Sequence, residues 1–444
     1  MNILHYSLGF PPYRSGGLTK FCMDLMKQQL REGHEVSLLW PGRMGVSGKK
    51  TKIKKGPAVD GIGNYEIIGP LPVPLDEGIQ EIDAFTAKGD RAVYDSFLAD
   101  LRPDVIHFHT LMGLHESLVI SAREQGTRTV FTAHDFFPVC PKVTMFRHGQ
   151  ICSSADSCKE CATCNCTALS LRKIQIMQSA AYRLLKDSKA VKALRKQHRD
   201  RYLSDETQPD EHLASGSPED YRRLRRHYRE ILAIMDMIHY NSTLTRSVYR
   251  KFFDLPDDCV IPITHTDIAD HRQLREYRDG LLRIRYLGPQ AEGKGYYLLK
   301  EALDKSWLER NDFRLDIHFT PAQQSPYLAI HERYSYAELE QIFDETDILI
   351  VPSIWYETFG YTALEALSYG VPVIISDTVG AADILAEGAG TVIKDITAEK
   401  LRDEIERLTP DRLAGMNRTI ADTQYIMTIP EMSGRITAEC YMEG

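Results

Sequence analysis

The chain has 444 residues, enough for about two or three domains of ordinary size. Hydrophobic residues make up 43% and charged residues 26%, the balance of a globular protein with buried cores. Fifty-four basic against 62 acidic side chains leave a net charge of −8, which argues against a nucleic-acid partner, and no run of apolar residues is long enough to span a membrane. The first residues read as a strand rather than a signal peptide, so a cytoplasmic protein is the expectation.

Residues 2–7 form an apolar strand. The Pro- and Gly-rich loop 9–17 follows, then a helix with Leu18, Phe21, Cys22, Leu25, Met26 and Leu30 at helical spacing. Gly33 stops that helix, and residues 35–40 make the second strand. This βαβ opening puts Gly16 and Gly17 at a helix start, where glycine lets the backbone approach a ligand closely; a plain turn is the alternative. Residues 45–64 lack periodicity and read as a surface loop or hairpin. Strands over 104–109 and 129–133 flank a helix over 114–125, so the first half looks doubly wound. His109 and His134 stand at strand ends, where α/β proteins build sites, although a structural role is the alternative for each. Asp135 either orients His134 or caps the turn.

Six of the nine cysteines fall between Cys140 and Cys166, with overlapping C-x2-C pairs at Cys158/Cys161 and Cys161/Cys164. Clustered thiols in a cytosolic chain point to metal rather than to disulfides. Four thiolates suit a structural zinc or an iron–sulfur cluster, with Cys140, Cys152, Cys158 and Cys161 as the expected ligands and Cys164 or Cys166 as replacements. Reduced thiols without a metal are the alternative. Residues 172–201 then carry ten Lys and Arg against two Asp, with an apolar side from Ile174, Met177, Ala181, Leu184, Leu185, Val191 and Leu194. Such a helix either lies on an anionic membrane surface or packs on the domain with a solvated face. Residues 205–220 read as a polar linker, and helices over 221–237 and 244–253 flank a short strand at 238–241.

The second half repeats the alternation. Strands are expected over 283–287, 315–319, 347–351, 371–375 and 391–393, and helices over 296–303, 336–344, 358–369, 381–386 and 398–408. The loop before the helix at 358–369 carries Glu357, and the helix itself carries Glu365. Helical side chains lean toward the N-terminus, so both carboxylates can face one ligand beside the backbone N–H groups of Phe359, Gly360 and Tyr361. Those amides suit a phosphate, and carboxylates suit sugar hydroxyls as acceptors.

The run from Glu357 through Phe359-Gly360 to Glu365-Ala-Leu-Ser-Tyr-Gly-Val-Pro-Val resembles the E-x7-E region of retaining GT-B glycosyltransferases, family 4. The resemblance covers nearly the whole chain outside residues 140–220. It implies an α/β GT-B architecture, two Rossmann-like domains facing a central cleft. Residues 1–265 would be the acceptor domain with its insertion at about 140–220. Residues 266–426 would bind the nucleotide sugar, and 427–444 would return to the first domain. The activity implied is transfer of a sugar from a nucleotide diphosphate sugar to a hydroxyl of a glycan or lipid-linked acceptor, with retention, in bacterial surface polysaccharide assembly. Glu365 would then hold the ribose, Glu357 and His134 the transferred sugar, and Gly16 and Gly17 would border the donor phosphates. Some members carry a similar Cys-Pro then CxxC insertion after a His-Asp-aromatic turn, as in His134 to Pro141.

One position departs from the family. Gly-Arg followed by Lys is usual on the diphosphate, whereas this chain has Gly288-Pro289 and then Lys294. Proline brings neither charge nor N–H. Lys294 and backbone amides would carry the phosphate charge, with no catalytic divalent metal expected. A non-catalytic GT-B partner or glycan-binding protein is the rival reading. A nicotinamide-dependent oxidoreductase is a weaker one, since no G-x-G-x-x-G follows the first strand. An enzyme of this kind would be cytoplasmic, in peripheral contact with the inner face of a membrane through residues 172–201.

Overall fold

The computed structural model describes residues 1–44, 51–152, 158–186, 216–255, 257–277 and 280–442, with positions 188, 189, 191 and 193. The basic stretch beyond Lys186 and the linker before Gly216 therefore lie largely outside the described residues.

Short, almost wholly buried runs of β-branched and aromatic residues make β1 (Asn2–Tyr6), β2 (Glu35–Pro41), β5 (Val105–Phe108), β6 (Arg128–Ala133) and β9 (Met237–Tyr240). Burial on both faces is what a parallel sheet covered by helices requires. With β3 (Lys52–Val59), β4 (Ile62–Ile68) and β10 (Asp258–Val260) they form one sheet in the order β10-β9-β6-β5-β1-β2-β4-β3. Only β3 runs antiparallel, paired with β4, so the stretch expected as a loop or hairpin includes a hairpin. The strand order reverses between β1 and β5, and the crevice of such a sheet opens there. Between β6 and β9 the small hairpin β7 (Phe146–Arg147) and β8 (Gln150–Ile151) stands apart.

The second sheet is wholly parallel. Its strands are β11 (Leu282–Tyr286), β12 (Phe313–Ile317), β13 (Leu328–Ile330), β14 (Ile348–Val351), β15 (Val373–Ser376) and β16 (Gly390–Ile393), in the order β13-β12-β11-β14-β15-β16. Here the order reverses between β11 and β14, so the loops after those two strands flank the crevice. Together the two sheets make the GT-B architecture, two Rossmann-like units.

Residues at both ends of the sequence tie the two units together. The helix Ile429–Ile436 begins at a Thr428–Glu431 capping box, and a last turn spans Thr437–Tyr441. This segment packs against the first sheet: Tyr441 Oη accepts from Gln29 Nε2 at 3.0 Å, and Arg128 Nε donates to the Cys440 carbonyl at 2.7 Å. Its Met432, Ile436 and Tyr441 share one apolar cluster with Phe21 and Leu25 on one side and Ile375 and Leu364 on the other.

Several elements differ from expectation. The helix expected over 221–237 begins earlier, at Pro218, because Ser217 and Asp220 form a capping box. A helix at Pro410–Thr423, capped by Thr409, and the edge strand β13 were not expected at all. The basic stretch is not one helix in its described part. Helices Leu171–Met177 and Ala180–Leu185 are broken where Gln178 turns inward to accept from Val73 N–H at 2.8 Å and Ser179 caps the second.

Candidate active site

Four loop and helix starts converge on the cleft. From the first sheet come the loop and helix after β1 and the turn after β6. From the second come the loops after β11 and β14. The last two touch directly: Ile354 N–H and Trp355 N–H both donate to the Gly293 carbonyl, at 2.9 and 3.2 Å. Gly295 allows this, with φ +73° and a position where a Cβ would sit 1.8 Å from the Pro352 carbonyl oxygen. The contact delivers Lys294 to the loop that carries Glu357. Lys294 Nζ lies 3.0 Å from Glu357 Oε1, and Ser353 Oγ donates to the same oxygen.

Two adjoining cavities, about 240 and 270 Å³, share Lys294, Glu357, Gly360 and Tyr361 as walls. The first also has Gly17 and His134; the second also has Gly288, Pro289 and Ser353. The helix Gly17–Arg31 and the helix Tyr361–Ser368 both begin at these walls. Their first N–H groups are spare by helix geometry, and both macrodipoles favour an anion between them. Gly16, at φ +109°, turns the chain into the first helix, and a Cβ on Gly17 would lie 3.6 Å from the Tyr361 ring. The two helix starts are thus near neighbours across the cleft.

His134 and Glu365 differ from expectation in their surroundings. The His134 ring opens on the first cavity but packs edge-on against Phe21, 4.6 Å between centroids, with Nε2 at 3.2 Å from His109 Nδ1. Desolvation by these walls, helped by His239, lowers its pKa to about 3, so the ring is neutral at pH 7. Asp135 makes no hydrogen bond to the ring. Its Oδ1 accepts from Phe137 N–H at 2.9 Å, which makes it a turn cap, and burial raises its pKa to about 6 against that hydrogen bond. Glu365 is 3% exposed and lines neither cavity. Its Oε1 is 3.1 Å from Nε2 of His265, a wholly buried ring set edge-on against Tyr336 and Tyr361. The structure therefore brings Glu357, Lys294, His134, Gly17 and the amides of 359–361 together, and holds Glu365 one layer behind Tyr361.

Sequence reasoning missed His265, Ser353 and three further buried histidines. A signal for the last existed. His5, His107 and His239 each sit in an apolar strand of the first sheet, as His109 and His134 follow strand ends, and register places His5 beside His107 and Thr132 beside His239.

The cysteines gather around the β7–β8 hairpin and the short helix Cys161–Cys164. Cys161 donates to Cys158, and with Arg225 and Arg222 nearby this lowers the Cys158 thiol to about 7, while burial pushes Cys140 up to about 12. Among the described residues no three of these sulfurs lie within 4.8 Å of one another. Cys140, Cys152, Cys158 and Cys161 are neighbours, not a closed tetrahedral set. Two basic side chains in the described part of the stretch are engaged. Arg183 pairs with Glu66 at 3.1 Å and lies over the Tyr13 and Trp40 rings, and Lys186 Nζ donates to the Pro12 carbonyl. Ile176, Leu184 and Leu185 face solvent instead. No helix among the described residues is long and apolar enough to cross a membrane.

Residues 15–156 match the profile of Glycosyltransferase Family 4, and residues 327–423 that of Glycosyl transferases group 1. A protein from the cps region of Klebsiella pneumoniae is 43% identical over 51 residues, a match spanning 12% of this chain and only 14% of that protein's length. Among solved structures, sucrose-phosphate synthase from Thermosynechococcus elongatus superposes with a TM-score of 0.58 at 14% identity, covering 99% of this chain and 98% of that one. HepE from Anabaena, solved with UDP and glucose, gives 0.54 at 11% identity over 99% of both chains. WaaG, involved in lipopolysaccharide biosynthesis, gives 0.53 at 14% identity, covering 98% of this chain and 99% of that one. At these identities the structural likeness is one of fold.

Proposed function

Because the chain belongs to the glycosyltransferases that combine the Family 4 and group 1 regions on a GT-B fold, we propose that it moves a sugar from a nucleotide diphosphate sugar to a hydroxyl acceptor with retention of configuration. The observation that carries this reading is one cleft walled by Lys294, Glu357, His134 and two helix N-termini. A diphosphate needs cations and N–H donors, and Lys294 with the starts of the two helices supplies both without a divalent metal. In the reaction the bond from the anomeric carbon to the β-phosphate oxygen breaks. The acceptor oxygen bonds to that carbon on the same face, and its proton passes to the departing phosphate. Lys294, now paired with Glu357, would turn toward the phosphate as charge develops there. Glu357 would then accept from sugar hydroxyls. Glu365 would act on the ribose from beneath Tyr361 with His265.

Several finer readings accompany this one. The Klebsiella relative and WaaG favour an acceptor in bacterial surface glycan assembly. The cysteine cluster would close around one structural metal, with Cys140, Cys152, Cys158 and Cys161 as ligands. The exposed Ile176, Leu184 and Leu185 beside basic residues would rest on the inner face of a membrane. A second reading, a non-catalytic GT-B subunit, is favoured by Pro289 alone.

The deciding experiment incubates the purified full chain with a panel of UDP-, GDP-, ADP- and TDP-sugars, with and without chelator, and measures nucleoside diphosphate release. Release with one donor, insensitive to chelator in short assays, is expected. Absence of release with every donor and acceptor extract would favour the non-catalytic subunit, and dependence on added magnesium would overturn the metal-free account.

A further inference from the structure

Behind His134 runs a continuous line of buried hydrogen bonds. His134 Nε2 meets His109 Nδ1 at 3.2 Å, and His109 Nε2 meets His5 Nδ1 at 2.9 Å. His5 Nε2 meets Gln29 Oε1 at 2.7 Å, and Gln29 Nε2 meets Tyr441 Oη at 3.0 Å. Tyr441 Oη then meets His107 Nδ1 at 2.7 Å, and His107 Nε2 meets Thr132 Oγ1 at 2.6 Å. Thr132 Oγ1 meets His239 Nδ1 at 2.8 Å, and His239 Nε2 ends the line on the Ile261 carbonyl at 2.8 Å.

The far end fixes the direction. A carbonyl only accepts, so His239 must carry its proton on Nε2 and present a bare Nδ1. Thr132 donates to that nitrogen, so its oxygen accepts from His107 Nε2–H. His107 Nδ1 is then bare and takes the Tyr441 proton. Tyr441, its proton spent, accepts from the Gln29 amide N–H, which sets the amide orientation and leaves Gln29 Oε1 for His5 Nε2–H. His5 Nδ1 accepts from His109 Nε2–H, and His109 Nδ1 accepts from His134 Nε2–H. Each step requires a neutral ring. Burial supplies that condition: it lowers His5 and His239 to about 4 and His134 to about 3, and His107 and His109 also fall well below the ordinary value.

We propose that this chain of hydrogen bonds, anchored at the Ile261 carbonyl and passing through Tyr441, fixes His134 as a hydrogen-bond acceptor toward the cleft. Nδ1 is the nitrogen left over. It has no hydrogen bond among the described residues and is not sealed from solvent, and the ring lines the first cavity. The ligand class follows, given the sugar-transfer reading of the cleft. A hydroxyl can donate to Nδ1; the carboxylate of a uronic acid cannot and meets a lone pair. Tyr441, Gln29 and Thr132 are positioning residues, acting through His134 from the returning segment, the first helix and the sheet. A cation on His5, His107 and His109 is the competing arrangement, since their nitrogens lie within 4.8 Å of one another. All six ring nitrogens already have hydrogen-bond partners, however, so metal would have to break the line.

Ring-nitrogen NMR of the ligand-free full chain, labelled with 15N-histidine, reads the tautomers directly. In the wild type all five rings should be Nε2–H. Tyr441→Phe removes the hydroxyl and frees the Gln29 amide to turn over. His5, His109 and His134 should then show both tautomers, while His107 and His239 stay Nε2–H and serve as the control for an intact fold. Thr132→Val cuts nearer the anchor, so His107 should join the mixed group and His239 alone should hold. An Nδ1–H or doubly protonated His134 in the wild type would overturn the proposal. So would metal-shifted rings, or a His134 tautomer unmoved in both variants. Since no substrate is present, these outcomes stand apart from the nucleotide-release assay: that assay judges the reaction, and the ring nitrogens judge the chain.

Discussion

Glu357 and Glu365 are eight residues apart and have different neighbours, so their loss should read differently. Glu357 shares its Oε1 with Lys294 and Ser353 at the cavity wall. Glu357→Gln should lower turnover about ten- to a hundredfold, the value of roughly 1.5–3 kcal/mol for a hydrogen bond to a charged group. Glu365→Ala strips His265 of its buried partner, so it should raise the donor KM and also shift the denaturation midpoint downward. Lys294→Ala should lose at least as much activity as Glu357→Gln, because Pro289 leaves no second cation beside it. Wild-type kinetics in all three variants would place the site elsewhere. Glu357 and Lys294 were legible as wall residues of one cleft from local motifs, whereas Glu365, eight residues on, lines neither cavity. His265 and Ser353 were not legible: the first reaches Glu365 from 100 positions away in sequence, and nothing local marks it.

At the level of elements, the strand–loop–helix–strand unit from β14 to β15 was legible from its apolar runs and its Gly-Val-Pro turn. The helix Pro410–Thr423 went unread although Thr409-Pro410 is a capping signal and Leu413, Met416 and Ile420 have helical spacing. β13, three residues at a sheet edge, offers no periodicity to read. The cysteine hairpin was legible as a cluster, but its geometry is not. If metal closes it, elemental analysis of anaerobically purified protein should find about one zinc, or iron with sulfide, per chain. Stripping that metal should then lower thermal stability; a metal-free protein of full stability would remove the idea. The charge of the basic stretch was legible, but charge counts do not say which cations are engaged. Arg183 and Lys186 hold the segment onto the first unit and leave Ile176, Leu184 and Leu185 exposed, the side chains through which the proposed membrane contact would be made. Cosedimentation with anionic vesicles should therefore weaken with salt only in part, and Leu184→Ser with Leu185→Ser should reduce it further. Equal recovery with neutral vesicles and none at all are both outcomes against attachment.

Across the whole molecule, the doubly wound pattern of both units was legible because parallel strands announce themselves as apolar runs between helices. The polar interior of the first unit was not, since its histidines come from four separate stretches of sequence. That interior makes acid sensitivity predictable. In the unfolded chain these rings take up protons as pH falls below 6.5, whereas in the fold His5 and His239 hold out to about 4 and His134 to about 3. Their contribution is thus complete above pH 6.5 and is lost as pH falls from there toward 4, by about 1.4 kcal/mol per pH unit for each ring. Urea unfolding followed at about pH 7.5, 6.5 and 5.5 should show the midpoint dropping over that window; a level midpoint would contradict the buried neutral rings. The segment from Thr428 to Tyr441 bears on how the molecule comes into being. Its tyrosine bridges Gln29 and His107, and its cysteine Sγ lies 3.1 Å from that of Cys259. On the ribosome, the first unit emerges well over a hundred residues before these partners are made. Its sheet must wait, with an uncapped polar interior, until residues 428–441 have been made, so the two units mature together rather than one after the other.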